Sequence, residues 1–211
     1  MSWKRIIIGS AFALGTGACA TGMSEDECIA ADWRALGEQD GLYGEVPDKF
    51  NDRAKQCSAF GVVADLALYK QGRDFGLETY CTPQSGYETG RAGQPYRNVC
   101  PIETEAAFLD EYALGKKLHD LTQDHDDALA RYEDAVIGIN SNRHELQRAR
   151  DRYNENTLSD DDRAIIRDQM RDHRRQIEQY EYDLPLLEAE IDRTRDALDD
   201  YRAYLKQIGR L

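Results

Sequence analysis

The sequence predicts an all-α protein in which a small disulfide-stapled helical domain precedes a long antiparallel coiled-coil helical hairpin. Two observations give this fold class. Four cysteines are confined to residues 28–100, whereas the chain after residue 103 has no cysteine and places apolar residues in alternating steps of three and four. We therefore predict a signal segment over residues 1–18, a cysteine-containing domain over residues 19–103 and the hairpin over residues 104–211.

The N-terminal segment has the pattern of an export signal. Lys4 and Arg5 are positively charged, residues 6–14 are apolar but too few to span a bilayer, and residues 16–18 are small. Cys19 follows directly, as in bacterial lipoproteins, and we expect diacylglycerol on its sulfur to anchor the chain to a membrane. By similarity to other Gram-negative lipoproteins, Ala20 implies the outer membrane and a chain that faces the periplasm. The alternative is cleavage after Ala20 by the ordinary signal peptidase, which would release a soluble protein.

Composition limits the possible partners. The chain has 40 acidic and 27 basic residues, a net charge of -13 and 32% charged residues. Nucleic acids and anionic lipid headgroups attract clustered positive charge, so we do not expect nucleic acid as a partner. After the signal, no apolar segment is long enough to span a bilayer.

The remaining cysteines, Cys28, Cys57, Cys81 and Cys100, predict a disulfide framework, because an exported chain meets an oxidising compartment. Four cysteines allow three pairings, of which we favour Cys28 with Cys57 and Cys81 with Cys100, since both close local loops. Each bridge would stabilise the domain by about 3 kcal/mol. No C-x-x-C occurs and every histidine lies outside this region, so we predict neither a metal nor a cofactor.

Local signals predict helices within this domain. Ser24 and Glu27 form a capping box, which predicts a first helix to about residue 38, before a turn over residues 40–44. Pro47 opens a second helix, and a third is predicted over residues 62–70.

A short motif recurs in residues 69–73 and 87–91: a tyrosine, a glycine three residues later and an arginine directly after it. We expect a short helix that stops at a left-handed or closely packed glycine, with the ring covering the turn. One interpretation makes these residues the core of a small domain; the other makes them a site for a carbohydrate or carboxylate, such as a cell-wall fragment. The candidate ligand-binding residues are Tyr69, Arg73, Tyr80, Tyr87, Arg91 and Tyr96.

Longer spacings give a resemblance to a known family. The residues are Cys28-x3-Asp32-Trp33-x3-Gly37-x2-Asp40-Gly41, then Cys57, then Tyr69-x2-Gly72-x3-Gly76-Leu77-x2-Tyr80-Cys81, and Gly86-Tyr87-x2-Gly90-x5-Tyr96-x3-Cys100. Over about residues 19–115 this pattern resembles an uncharacterised family of proteobacterial lipoproteins, a domain of unknown function numbered twenty-seven ninety-nine. The resemblance implies an envelope location, and it assigns no catalytic or ligand-binding role.

Two arms of the predicted hairpin follow. The second arm has a heptad stripe formed by Ile166, Met170, His173, Ile177, Tyr180, Leu184, Leu187, Ile191, Thr194, Leu198, Tyr201, Leu205 and Ile208. The first arm offers Leu114, Leu118, Leu121, His125, Leu129, Tyr132, Val136, Ile139, Arg143, Leu146, Arg150 and Tyr153. Residues 154–159 turn the chain, so the arms are antiparallel. Pro185 lies outside the stripe, and we expect a kinked continuous helix; the alternative is a break that gives a three-helix bundle.

Polar residues of the hairpin have ordinary explanations. Arg163, Arg167, Arg171 and Arg175 follow each other at steps of four among acidic residues, which predicts a solvated, ion-paired face. The stripe histidines at 125 and 173 are expected as polar core positions.

The chain lacks the common catalytic motifs, so we predict that it is not an enzyme.

These features together predict a lipid-anchored envelope protein with a structural or interaction role, such as tethering or scaffolding in the periplasm. Its expected partners are the membrane, through Cys19, and a protein or a second copy bound through the coiled coil. The alternative function is a ligand-binding module that uses the repeated tyrosine, glycine and arginine segments.

Overall fold

A computed structural model describes residues 22–211, and every regular element in this range is an α-helix, as predicted. The helices are α1 (Glu25–Ile29), α2 (Trp33–Leu42), α3 (Asp48–Ser58), α4 (Leu66–Tyr80), α5 (Pro83–Arg91), α6 (Ile102–Tyr153) and α7 (Asp160–Gln207). The predicted signal segment and Cys19 lie outside the described residues. Among the helices of this range, none combines the length and the apolar character needed to cross a membrane.

Two compact units divide the described chain within α4. The N-terminal unit ends at Leu77, and the hairpin unit comprises Glu78–Leu211. The N-terminal unit therefore contains α1 to α3 and most of α4, and the hairpin unit contains the end of α4 and α5 to α7. The domain boundary at residue 103 stays a prediction.

The first predicted helix is in fact two helices. Asp32 is extended, with φ -86° and ψ 96°, and its carboxylate accepts a hydrogen bond of 3.0 Å from the Ala35 N–H. This side chain caps a new helix, and the capping signal overrides the helical pattern that continues across it. The predicted turn also begins too early, because α2 runs through Gly41 to Leu42 and the backbone turns only at Gly44, with φ 58°.

The third predicted helix is longer than expected. α4 begins at Leu66 and continues to Tyr80, although the sequence predicted that a glycine ends it. Gly72 and Gly76 both remain helical within α4. Their role is close packing against another helix, described below.

Both favoured disulfide pairings are confirmed. Cys28 of α1 is bonded to Cys57 near the end of α3, with Cα atoms 5.3 Å apart. Cys81, directly after α4, is bonded to Cys100, directly before the residue that caps α6, with Cα atoms 5.5 Å apart. The bridges close loops of 29 and 19 residues, so each contributes roughly 3 kcal/mol in the chain-entropy account.

The antiparallel hairpin is also confirmed. α6 has 52 residues and α7 has 48, so each is roughly 70–80 Å long. At one end the Tyr201 hydroxyl donates to the Leu114 carbonyl at 3.0 Å, and near the turn Arg163 donates to the Tyr153 carbonyl at 2.7 Å. Between these ends, the half-buried His173 Nδ1 lies 2.8 Å from the Asn142 amide oxygen.

The register of α7 follows the prediction, whereas that of α6 differs at every second layer. The buried stripe of α6 uses Ala128, Ala135 and Ala149, each one residue before the larger side chain that was expected. Leu129 is instead 38% exposed. Small side chains let α6 lie close to α7, whose stripe supplies large residues such as Tyr180, and close packing decides the register. Ile208, the last predicted stripe position, follows the end of α7 and is exposed.

Pro185 lies inside α7, which continues through it as one helix, so the alternative of a break at this residue is wrong.

Of the arginines spaced by four, Arg171 and Arg175 form exposed ion pairs with preceding aspartates, as predicted. Arg163 has a further role, because it also donates to the Glu155 carbonyl and so ties the turn to α7.

Candidate functional site

In the N-terminal unit, α2 and α4 cross with almost no side chain between them. A Cβ atom added to Gly37 would lie 2.0 Å from the Tyr69 carbonyl oxygen, and one added to Gly72 would lie 1.9 Å from the Arg34 carbonyl oxygen. One turn further on, Gly41 and Gly76 meet in the same way. The helices are parallel at this crossing, because positions advance together along both.

The hairpin unit repeats this arrangement with α5 and α6. A Cβ added to Gly90 would lie 2.2 Å from the Tyr112 carbonyl oxygen, and one added to Gly115 would lie 2.1 Å from the Tyr87 carbonyl oxygen. Residues 112–116 are a third copy of the motif, with lysine in place of arginine, and this copy was not predicted. The motif is therefore a helix-crossing element in both units.

A buried carboxylate lies beside the first crossing. Asp40 is 3% exposed and accepts hydrogen bonds from Arg53 Nη2 at 2.6 Å and from the Tyr69 hydroxyl at 2.7 Å. Burial, reinforced by this hydrogen bond to Asp40, raises the pKa of Tyr69. On the same helix, Arg73 donates to the Glu45 carbonyl at 2.9 Å. Tyr69 and Arg73, both predicted ligand-binding residues, thus make internal hydrogen bonds of the N-terminal unit.

The structure brings Tyr80 and Tyr96 together around Phe108, whose side chain is fully buried. The ring centroids of these tyrosines lie 5.2 and 4.9 Å from that of Phe108. The Tyr96 hydroxyl donates a hydrogen bond to Glu105 at 2.8 Å and accepts one from the Cys100 N–H at 3.0 Å. It therefore holds the segment before α6 against the first turn of that helix. Burial raises the pKa of both tyrosine hydroxyls. Tyr80 directly precedes Cys81 and Tyr96 is hydrogen-bonded to the backbone of Cys100, the two cysteines of the second disulfide.

The last two predicted ligand-binding residues differ in exposure. Tyr87 is buried in a cluster with Leu118, Leu198 and residues of the last turns of α7, and burial raises its pKa. Arg91 is exposed and lies 3.6 Å from a carboxylate oxygen of Glu88. It lines a hollow of about 290 Å³ whose other polar lining residues are His119, Thr122 and Arg202.

A larger groove between α6 and α7 was not anticipated. It has a volume of about 770 Å³, and its lining is mainly apolar. The Tyr201 and Tyr204 rings line it and stack with their centroids 5.8 Å apart, and Lys117 Nζ lies 4.6 Å from the centre of the Tyr201 ring. The sequence predicted Leu114, Leu121 and Tyr201 as coiled-coil core, whereas in the structure these core residues, together with exposed neighbours such as Ala113 and Ala197, also line the groove. Within residues 22–211, no group of three or more histidine, cysteine or carboxylate side chains is placed to hold a metal ion.

The raised pKa of Tyr69 predicts alkaline instability of the N-terminal unit. Because the folded-state pKa lies above the ordinary value of 10.0, the unfolded chain loses this proton first, and stability is lost as pH rises above about 10. We expect the Tyr69→Phe variant to be less stable at neutral pH but to show a shallower loss between about pH 9 and 11. Urea unfolding across that range measures both effects.

The matched control is Tyr43→Phe, since Tyr43 is on the end of α2 and 69% exposed. Its pH dependence should equal that of the unsubstituted chain. Equal slopes for Tyr69→Phe and the unsubstituted chain would contradict the prediction.

The geometry defines a class of protein: all-helical, linked by two disulfides, with glycine-mediated helix crossings at its recurring motif and a long hairpin at its C-terminal side. Residues 32–117 match a family described as "Protein of unknown function (DUF2799)". The resemblance predicted from the sequence is thereby confirmed. The matched segment includes both helix crossings and ends in the first third of α6. Neither curated proteins nor solved structures gave a match to this chain.

Proposed function

We propose that this protein is a lipid-anchored component of the cell envelope that acts by tethering or scaffolding. The observation that carries the proposal is the hairpin, in which helices of 52 and 48 residues pair along their length. Such a pair spans a long distance, and the part of its surface that α5 does not cover is available to partners. The proposal assigns the chain no catalytic step.

Two further features support the envelope location. Residues 1–19 have the pattern of a lipoprotein signal that ends at Cys19. The two disulfides of the described chain have Cα separations of 5.3 and 5.5 Å, within the usual range. Such bonds persist in the periplasm but are reduced in the cytosol. We propose the outer membrane, facing the periplasm, as the location.

Site-specific photo-crosslinking in cells tests the tethering role. A photoreactive residue would replace Ile137 on α6 or Tyr182 on α7, which are 64% and 72% exposed. The control position is Leu68 on α4, which is 44% exposed. Recovery of one discrete protein from the hairpin positions and not from the control supports the proposal. Equal recovery at all three positions, or none on the hairpin, contradicts it.

Anchoring is tested separately by metabolic labelling with an alkyne fatty acid. The unsubstituted protein should carry the label and fractionate with the outer membrane, and Cys19→Ser should carry none. Unlabelled, freely soluble native protein would contradict the anchor.

A second candidate function is binding of a carboxylate ligand in the hollow that Arg91 lines. The exposed Arg91 shares its hollow with Arg202 and His119, a set of side chains that can bind a carboxylate. Titration with a carboxylate-bearing cell-wall fragment should then show binding that Arg91→Ala and Arg202→Ala each abolish. Unchanged binding in both variants, or no binding at all, would contradict this function.

A further inference from the structure

We propose that the groove between α6 and α7 binds a basic amphipathic helix of a partner protein. This inference rests on the proposed function, since it names the surface and the chemistry through which a tethering hairpin holds its partner. We call this surface the base groove; its lining residues are Ala113, Leu114, Lys117, Leu121, Ala197, Asp200, Tyr201 and Tyr204.

The base groove has the form of a helix-binding site. Leu114, Leu121 and Tyr201 belong to or pack against the buried cluster and make its floor, and Ala113 and Ala197 form exposed lips with small side chains. Small residues at the lips allow another helix to approach closely, and the apolar floor rewards burial of an apolar face.

Only one flank of this helix pair is covered within the hairpin unit. α5 contacts α6 at Phe108, Tyr112 and Gly115, whereas the base groove uses Ala113 and Lys117, which lie on a different face of α6. An added helix in the groove would lie against α6 and α7 as α5 does on its own flank, and a four-helix arrangement would result.

The length of the groove also fits a helix. A second hollow of about 390 Å³ shares Leu121 and Ala197 with the base groove and continues along both helices to Arg131 and Glu190. From Ala113 to Arg131 the α6 axis extends roughly 27 Å, which corresponds to a partner helix of about 18 residues.

Charge decides which helix fits. The parts of the hairpin that flank the groove, residues 104–137 and 177–211, contain 18 acidic and 8 basic residues, whereas residues 138–176 contain 8 acidic and 9 basic residues. Asp124, Asp127, Glu190 and Asp200 line the two hollows, together with Lys117, Arg131 and Arg193. Arg131 and Arg193 both form ion pairs with Glu190, so the acidic character comes from the three aspartates and from the wider segments around the hollows. An acidic surface around an apolar floor attracts a helix with lysine or arginine beside its apolar face.

The same charge distribution disfavours a second copy of this groove as the occupant. Pairing two grooves face to face would bring two strongly acidic segments together, and like charges at an interface are unfavourable. We therefore infer that the groove binds a basic helix of another protein and not the groove of a second copy of this chain.

A designed peptide provides the test. The probe is a fluorescent peptide of about 18 residues with leucine on one helical face and lysine on the other; one control peptide has the same composition in scrambled order, and another has glutamate for lysine. Binding to the full chain in phosphatidylcholine nanodiscs is measured by anisotropy, with empty nanodiscs as the blank. The basic peptide should bind, the scrambled and acidic peptides should not, and binding should weaken as salt is raised.

Two matched pairs of variants locate the binding. Ala197→Arg should weaken binding at least about 10-fold, or about 1.4 kcal/mol, because it fills the groove with a like charge, while Ala203→Arg, also exposed on α7 but outside the groove, should change it less than about 2-fold. Asp200→Asn should weaken binding by about 2- to 5-fold, and the neighbouring Asp199→Asn should have no effect.

Each outcome bears on the inference. Equal binding of the three peptides, or equal effects of Ala197→Arg and Ala203→Arg, overturns it. Sedimentation that shows a dimer dissociated by Ala197→Arg also overturns it, because a second copy would then be the occupant. If the peptide fails to bind while crosslinking still recovers a discrete partner from Ile137 or Tyr182, the groove inference fails and the tethering function stands. If crosslinking fails as well, the tethering function fails with it.

Discussion

Gly72→Ala is expected to destabilise the N-terminal unit by more than about 3 kcal/mol and to prevent its stable folding at physiological temperature. The added Cβ would lie 1.9 Å from the Arg34 carbonyl oxygen and 2.9 Å from the Glu38 backbone nitrogen. Both neighbours are backbone atoms of α2, so no side chain can rotate to make room and the helices must separate. A typical domain has only about 5–15 kcal/mol of stability, so this loss is decisive.

The sign of the stability change caused by Gly72→Ala distinguishes a close helix crossing from an open helix surface. Alanine is preferred over glycine in a helix interior by about 1 kcal/mol, so at an open site the same substitution would stabilise α4. Destabilisation therefore reports on the crossing itself. Trp33 fluorescence follows unfolding of this unit in urea, because Trp33 packs within its core and the second tryptophan, Trp3, lies in the predicted signal.

The matched control is Gln71→Ala, the neighbouring exposed position of α4. It should change the free energy of unfolding by less than about 0.5 kcal/mol. A Gly72→Ala chain as stable as the Gln71→Ala chain would show that α2 and α4 do not cross at this distance.

Asp40→Ala is expected to cost about 3–5 kcal/mol in the same unit. Asp40 accepts hydrogen bonds from Arg53 and Tyr69, and the side chain of Arg53 is only 18% exposed. Removing the carboxylate leaves a largely buried guanidinium and a buried hydroxyl without their acceptor, and an uncompensated buried charge is more costly than a missing ion pair.

A double variant separates this effect from simple loss of packing. If the unpaired guanidinium causes the loss, Asp40→Ala combined with Arg53→Met should be more stable than the sum of the single losses predicts. Tyr69→Phe should cost only about 1 kcal/mol, because it removes one hydrogen bond and leaves the ion pair intact. Urea unfolding followed by Trp33 fluorescence measures all four variants, namely Asp40→Ala, Arg53→Met, their combination and Tyr69→Phe, and strict additivity of the double variant would contradict the explanation.

Periodic and pairwise features of this chain were predictable from the sequence, because they depend on local spacing. The heptad stripe of α7 and the cysteine pairings belong to this group, since a repeating apolar step or a short loop between cysteines needs no knowledge of the rest of the fold. The capping box of Ser24 and Glu27 also forms as predicted. The family match over residues 32–117 also followed from spacings of the same kind.

Features that depend on which helices meet were not predictable. Gly72 was expected to end a helix as a left-handed or closely packed glycine. It is closely packed but lies inside α4, and nothing in the sequence shows that α2 packs against α4 at this residue. The register of α6 was wrong at Ala128 because large apolar residues were preferred for the stripe, whereas the close approach of α7 selects alanine. The residues proposed for ligand binding were mostly found in the core, since tyrosine serves burial and recognition equally well.

The cluster around Tyr87 has a consequence for fragments of this protein. The family match ends at residue 117, yet Tyr87 is covered by Leu198, Tyr201 and Leu205, which are contributed by the far end of the returning arm. A piece cut at the limit of the homologous region would expose this aromatic cluster to water and favour aggregation. The part of the chain that must be present for residues 32–117 to fold is therefore longer than the family match. Truncation from the C-terminus should destabilise the packing around Tyr87 before it affects the hairpin turn at residues 154–159.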